Sequence, residues 1–276
     1  MISVLILTYN EEANLPGCLE SLRWCDDLFV LDSFSTDRTV EIARAAGARV
    51  VQRRFDNWSA HQNWALQSIP FRHPWVYYSD ADERVTPELR DELRRIALDP
   101  GQANVAYRLR YKNYFLGRWI RHCGIYPTWI MRFFRPEKVR WERLVNPVAV
   151  VDGPEGRLQG HFEHYSFHKG FAAWFDKHNR YSGQEAHESL KSLANGAFPW
   201  HDLFTSSPAT RRRALKELSF RLPFRPTLRF LYMYLWGRGF LDGYAGFTYC
   251  RLLSIYEYMI VLKMRETRRR ESGLSI

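Results

Sequence analysis

The stretch Trp75-Val76-Tyr77-Tyr78-Ser79-Asp80-Ala81-Asp82-Glu83 decides how the rest of the chain is read. Four bulky β-formers run into a serine and then three carboxylates, the pattern of a buried strand that ends at a polar edge. Thr86-Pro87 follows, with threonine placed to cap a helix and proline at its first position. The same rhythm recurs upstream. Ile2 to Leu7 is an apolar run, Leu15, Cys18, Leu19 and Leu22 recur at helical spacing, and Leu28 to Leu31 is a second run. Thr36 or Asp37 is expected to cap a helix through Val40, Ala43 and Ala46 that stops at Gly47, ahead of a short strand at Val50 and Val51. Ser59 and Gln62 have capping-box spacing for a helix to about Gln67. Such alternation predicts an α/β fold, a mainly parallel sheet with helices on both faces.

In open sheets of this kind ligands bind beyond the carboxyl ends of the strands. Three polar clusters fall at such ends: Thr8-Tyr9-Asn10-Glu11, Asp32-Ser33-Phe34-Ser35-Thr36-Asp37, and Asp80-Ala81-Asp82. Two carboxylates at i and i+2 after a strand can converge on one hard dication, Mg²⁺ or Mn²⁺, that bridges phosphates. The competing reading of an isolated D-x-D is a solvated turn. Neither G-x-x-x-x-G-K-[ST] nor G-x-G-x-x-G occurs, which argues against P-loop and dinucleotide chemistry. The four cysteines, Cys18, Cys25, Cys123 and Cys250, form no C-x-x-C pair, so neither a zinc ribbon nor a disulfide framework is expected, and a reducing compartment is.

The 276 residues are 46% hydrophobic and 25% charged, enough to bury a core and too apolar for a disordered chain. Charge is unevenly spread. Residues 1–200 carry 26 basic and 24 acidic side chains, whereas residues 201–276 carry 14 and 6. Residues 103–166 read as mixed strands and loops that complete the sheet, Phe171 to Leu193 as a helix, and Asn195 to Pro199 as a break. Two parts are therefore expected: a nearly neutral α/β domain over 1–200, in two halves that meet at about residue 100, and a helical, basic and aromatic tail over 201–276. In the tail, arginines and lysines interleave with Leu215, Leu218, Phe220, Leu222 and Phe224, and Tyr232, Tyr234, Trp236, Tyr244 and Tyr249 are of the types that favour headgroup depth. No uncharged stretch is long enough to span a bilayer, and the opening apolar run lacks the basic flank and cleavage site of a secretory signal. An interfacial contact with anionic lipid is the expectation. A nucleic-acid partner is disfavoured, because the edge of the sheet is acidic.

The segments ISVLILTYNEEANLPGCLESL, LFVLDSFSTDRTVEIARAAGARVV and WVYYSDADERVTPEL resemble, in that order and at similar separations, the nucleotide-binding half of family 2 glycosyltransferases. The similarity runs over about residues 1–165, and WALQSIPFRHPWVYYSDADERVTPEL is similar to the branch of lipopolysaccharide-core and envelope sugar transferases. The resemblance implies a GT-A fold and inverting transfer from a nucleoside diphosphate sugar, with uridine as the default base, held through Mg²⁺ or Mn²⁺. It implies that Thr8, Tyr9 and Glu11 meet the nucleotide, that Asp32 meets base or ribose, that Asp80 lies near ribose and metal, and that Asp82 is the main metal ligand.

Glu142 is the expected general base, since related enzymes place a functional acid in this region; a surface pair with Arg140 or Arg143 is the rival reading, and Asp152 is held in reserve. His164, in HFEHYSFHKG, matches a late histidine that completes the metal shell in some GT-A enzymes. Arg132 is a candidate for the diphosphate, since guanidinium matches phosphate geometry, or for a carboxylate at a strand edge. Gln62 is a candidate polar contact and Trp64 a core residue. The aromatic run Tyr107, Tyr111, Tyr114, Phe115 and Trp119 reads as core or acceptor-groove wall. The acceptor expected from the branch and the basic tail is a lipid-linked glycan on the cytoplasmic face of the inner membrane. A polyprenyl-phosphate sugar synthase is the alternative within the enzymes, and a nucleic-acid-binding protein the alternative outside them.

Overall fold

All seven residues of strand β1 (Ile2–Thr8) are buried, so both faces of the sheet are covered where it runs. Val4 and Ile6 point to one apolar layer and Leu5 and Leu7 to the other, as a period of two requires. The computed structural model describes residues 1–143, 147–194, 200–205, 207–219, 221–222 and 224–276. They fall into two compact units, Met1–Trp119 with Tyr126–Lys169, and Ile120–Ile125 with Gly170–Ile276.

In the first unit β1 is followed by α1 (Leu15–Ser21), β2 (Leu28–Asp32), α2 (Thr39–Ala45), β3 (Arg49–Gln52), α3 (Trp58–Ser68), β4 (Trp75–Asp80), β5 (Glu83–Val85) and α4 (Pro87–Leu98). Then come β6 (Ala106–Phe115), β7 (Arg118–Trp119), β8 (Trp129–Phe134), β9 (Val139–Glu142), β10 (Val148–Val151) and β11 (Glu155–His164). The sheet order is β3-β2-β1-β4-β8-β6-β11-β5, with β7 beside β6, while β9 and β10 form a separate antiparallel ribbon. The predicted α/β sheet is present: β1 to β4 are mutually parallel, and the later strands are mixed, with β8 antiparallel to both neighbours. Parallel registry brings Thr8 opposite Asp32 and Leu7 opposite Asp80, which sets the three polar clusters on one edge.

Thr86 caps α4 as expected, its hydroxyl accepting from Leu89 N at 3.3 Å. Helix α3 departs from expectation. Asn57 caps it, accepting from Ala60 N at 2.9 Å, and Ser59 and Gln62 lie inside the helix and are buried. Both Asn57 and Ser59 are cap formers; Asn57 takes the cap because it holds the extended backbone a cap requires.

The second unit holds α5 (Gly170–Ala194), α6 (Pro208–Ser219), α7 (Arg225–Leu231), a π-helical turn (Tyr232–Trp236), a 3₁₀ turn (Gly239–Asp242) and α8 (Gly243–Glu271). The division comes at Gly170, not near residue 200, because Ala186 of α5 packs with Ile260 and Met264 of α8 and Lys263 Nζ donates to Asn179 Oδ1 at 2.8 Å. Residues 120–125 belong here too: His122 N donates to Asp242 Oδ2 at 2.8 Å, and Cys123 and Cys250 lie with their sulfurs 3.4 Å apart. The anticipated break at 195–199 and Phe220 of the tail lie outside the described residues. Among those described, no helix is long and apolar enough to cross a membrane.

Gly246 lets α8 start against the 3₁₀ turn, where an added Cβ would run into Gly239 O. Gly246→Ala should therefore lower stability by roughly 1–3 kcal/mol, as overpacking does. Urea unfolding reads this directly, and an unchanged midpoint would contradict the close approach.

Candidate active site

The edge is knitted before it is functional. Asn10 N donates to Ser35 Oγ at 2.8 Å, Thr36 N to Asn10 Oδ1 at 2.8 Å, Glu11 N to Thr39 Oγ1 at 2.7 Å and Glu12 N to Asp37 Oδ2 at 3.1 Å. The turns after β1 and β2 are thus one body. Asn10 and Phe34 both have positive φ, 52° and 61°, the conformation that aims these turns at each other.

Asp32 lies at the centre and is fully buried. Its Oδ1 accepts from Thr8 Oγ1 at 3.0 Å and from Ser35 Oγ; its Oδ2 accepts from Ser35 N at 2.9 Å and Gln52 Nε2 at 3.0 Å. A carboxylate has about four acceptor positions, and all are used. Asp32, expected to meet base or ribose, is here buried and saturated by donors of the chain itself: it holds the turns, and Thr8 is engaged with it. Tyr9 is exposed, and its carbonyl faces Lys169 Nζ at 3.4 Å. Glu11 pairs with Lys169 at 2.5 Å, and its carboxyl is raised by burial against the pull of Lys169 and Asn14.

At the end of β4 a second network forms. Arg132, on β8, is buried and its Nη2 contacts both Asp80 Oδ2 and Glu83 Oε1, the latter at 2.5 Å. Its guanidinium carbon also lies 4.4 Å from the Tyr78 ring centroid. Gln62 Nε2 donates to Tyr78 OH at 3.0 Å, and Tyr78 OH donates to Asp80 Oδ1 at 3.1 Å. Of the two roles open to Arg132, the structure gives the carboxylate pair rather than a guanidinium free for diphosphate. Burial pushes the Glu83 carboxyl up to about 8 even with Arg132 beside it.

Antiparallel pairing sets Glu83 opposite His164, and Tyr165 N donates to Asp82 O at 2.8 Å. These bonds bring His164 Nε2 to 3.4 Å from Asp82 Oδ2. Burial depresses the imidazole, but Asp82, Glu83 and Asp80 outweigh it and raise its pKa. His164 Nδ1 is buried with no hydrogen-bond partner among the described residues.

Glu142 is exposed at the end of β9 and pairs with Arg140 at 3.0 Å, the rival reading of that residue; Asp152 is likewise exposed and pairs with Lys138 at 2.9 Å. Asn63 accepts from Trp141 N at 2.7 Å and donates to Trp141 O at 2.9 Å, which fixes β9 on α3. Trp141 in turn lies 6.0 Å from Tyr78, ring centre to ring centre.

The glycosyl transferase family 2 model matches residues 3–153, more than half of the chain and this strand-end region up to β10, with His164, Tyr165 and Lys169 beyond the match. The chain belongs to glycosyl transferase family 2. Lipopolysaccharide core biosynthesis glycosyltransferase LpsC of Rhizobium meliloti (strain 1021) is 24% identical over 274 residues, 95% of this chain and 91% of that one. An uncharacterized glycosyltransferase of Rickettsia bellii (strain RML369-C) is 34% identical over 111 residues, 40% of this chain and 37% of that one. Among solved structures, glucosyl-3-phosphoglycerate synthase from Mycobacterium tuberculosis in complex with Mn²⁺, UDP and glucosyl-3-phosphoglycerate matches 41% of this chain and 44% of that one at 27% identity and a TM-score of 0.35.

Within this family 2 chain, no three His, Cys, Asp or Glu side chains among the described residues converge into a metal cage. The donor set still suits a hard dication, because Mg²⁺ is commonly held by one or two carboxylates and completed by substrate phosphates and water. Asp82, with Asp80 two positions before it, could supply such carboxylates, and the imidazole of His164 beside Asp82 would suit Mn²⁺. Glu83 and Lys169 were not singled out from sequence, although Glu83 follows the D-x-D directly and Lys169 closes the histidine-rich segment.

Arg132→Met leaves Asp80 and Glu83 without their cation and should cost about 3–5 kcal/mol, the loss expected when one partner of a buried pair is removed. Chemical denaturation at neutral pH measures it. His61, on α3, is buried beside Arg53, and burial followed by that charge lowers its pKa to about 4. Its depressed value means that the unfolded chain takes up a proton first, so stability falls as pH drops from about 6.5 to about 4. His61→Gln should flatten that part of the stability profile; an unaltered slope would remove His61 as its source.

Proposed function

We propose that this glycosyltransferase is metal-dependent and inverting, moving a sugar from a nucleoside diphosphate donor, with uridine as the base, to a hydroxyl of a lipid-linked envelope glycan. The observation that carries the reading is the contact of His164 with Asp82, 3.4 Å apart just past the end of β4, beside the fused turns of β1 and β2. The acceptor class is supported by the likeness to LpsC, which extends over nearly the whole of both chains.

A bound Mg²⁺ or Mn²⁺ would supply a charge that stabilises the departing diphosphate. Asp82 would hold it, with Asp80 braced by Tyr78 and Arg132 so that its carboxylate needs little reorganisation on binding. His164 would add its imidazole. Glu11, Tyr9 and the backbone around Asn10 line the nucleotide side, and Lys169, now on Glu11, is the cation placed to meet phosphate charge. Inversion requires the acceptor hydroxyl to approach from the face opposite the diphosphate and to lose its proton. Glu142 is the proposed base: its pair with Arg140 is exposed, and pairs of that kind cost under about 1 kcal/mol to break.

Asp82→Ala should abolish transfer and metal-dependent nucleotide binding with no loss of fold. Titration calorimetry of nucleoside diphosphate sugars with and without Mn²⁺ reads both donor and metal, and full activity in excess chelator would refute the metal role. Glu142→Gln should lower kcat by about 10²–10⁴. Unchanged turnover would favour a polyprenyl-phosphate acceptor, which needs no strong base.

A further inference from the structure

The amphipathic pattern of α7 and its π-helical continuation is inverted. Leu228, Leu231, Tyr232, Leu235 and Trp236 fall at i, i+3, i+4, i+7 and i+8, one face of a helix, and all five are exposed. One turn before Leu228, Arg225 is buried in a pair with Glu257 at 2.6 Å, and Met233 is buried beneath the turn. The apolar surface continues over Phe240, Leu241, Tyr244 and Phe247, with Trp236 82% and Tyr244 76% exposed. Beneath it Phe230 and Tyr234 stack at 5.3 Å, and Tyr234 meets Phe247 at 5.7 Å, so the layer is ordered by its own rings.

An apolar surface of this extent on a soluble unit marks a partner or a membrane. Charge decides between them. From Arg221 to Tyr256 there are five arginines and one acidic residue, Asp242. Asp242 is buried and held by His122 at 2.7 Å, so it contributes no exposed negative charge. Arg229, Arg238 and Arg251 have no carboxylate partner among the described residues. A second copy of this chain would bring the same unpaired arginines against them, whereas anionic headgroups neutralise them while acyl chains receive the leucines. Tryptophan and tyrosine at the rim are the types that settle at headgroup depth. With no helix here able to span, insertion is shallow.

We infer that the exposed face of α7, its π-helical turn and the start of α8 is a monotopic docking surface for an anionic bilayer. Leu231, Leu235, Trp236 and Tyr244 enter the headgroup layer, and Arg229, Arg238 and Arg251 pair with lipid phosphates.

The test is flotation of the full chain with vesicles of phosphatidylcholine alone or mixed with phosphatidylglycerol, without donor or acceptor, so its outcome is separate from that of any transfer assay. Binding should require phosphatidylglycerol and weaken in high salt, and Arg238→Ser should lower the partition coefficient about fivefold. Leu235→Ser with Trp236→Ser should abolish flotation while leaving the melting temperature unchanged, since both side chains are exposed. Should that double variant misfold, Trp236→Phe, which keeps the apolar face, should remove a measurable part of the tryptophan quenching by brominated lipid. No flotation of the wild-type chain, quenching unaltered by Trp236→Phe, or a dimer that the double variant dissociates in the absence of vesicle binding would each overturn the inference.

Discussion

At the end of β4 one guanidinium, that of Arg132, meets two carboxylates, buried Glu83 and half-buried Asp80. Without Arg132, Glu83 would lie buried three positions from Asp80 with no cation beside it, and its carboxyl, which burial already pushes up to about 8, would rise further. Arg132 comes from β8, the strand that intervenes between β4 and the mixed half of the sheet. The ion pairs therefore join the two halves of the sheet at the end of β4, where they hold Asp80 and Glu83 in place. Registry from β5 to β11 then carries this rigidity to His164.

The acidic residues of the edge divide by burial. Asp32 and Glu83 are buried and engaged with donors of the chain itself; their work is to fix turns. Asp82 and Glu11 are only partly buried, at the same edge, and are in reach of a ligand. A carboxylate with every acceptor position filled has nothing to offer a substrate, whereas one partly open to solvent can exchange water for a cation or a phosphate-bound metal. Residue type alone does not distinguish the two groups, although they lie within a few positions of each other.

This accounts for what could be read from the sequence. The apolar runs of β1, β2 and β4, the cap at Thr86 and the clustering of polar strand ends follow from local periodicity and turn chemistry, and all are present. The Arg132–Glu83 contact spans 49 positions and depends on β8 running antiparallel beside β4, so no local pattern announces it. The saturation of Asp32 needs Gln52, which approaches only because β3 pairs with β2. The boundary at Gly170 was obscured for a similar reason: α5 reads as the end of one part until α8, eighty residues away, is seen to pack on it.

In the second unit the sequence discloses composition but not direction. Aromatic and leucine residues from Phe224 to Phe247 read equally well as a helical core, and Gly239 and Gly246 do serve close packing. What the fold adds is that Met233, Ala245 and Cys250 take the interior and the larger apolar side chains face outward. Outward leucine and tryptophan lose the roughly 25 cal/mol per Å² that burial returns, and here that loss is concentrated on one face instead of being scattered. With Leu228, Leu231, Leu235 and Trp236 turned outward together, covering this one face would return that difference, and this is the free energy on which the inferred association would draw.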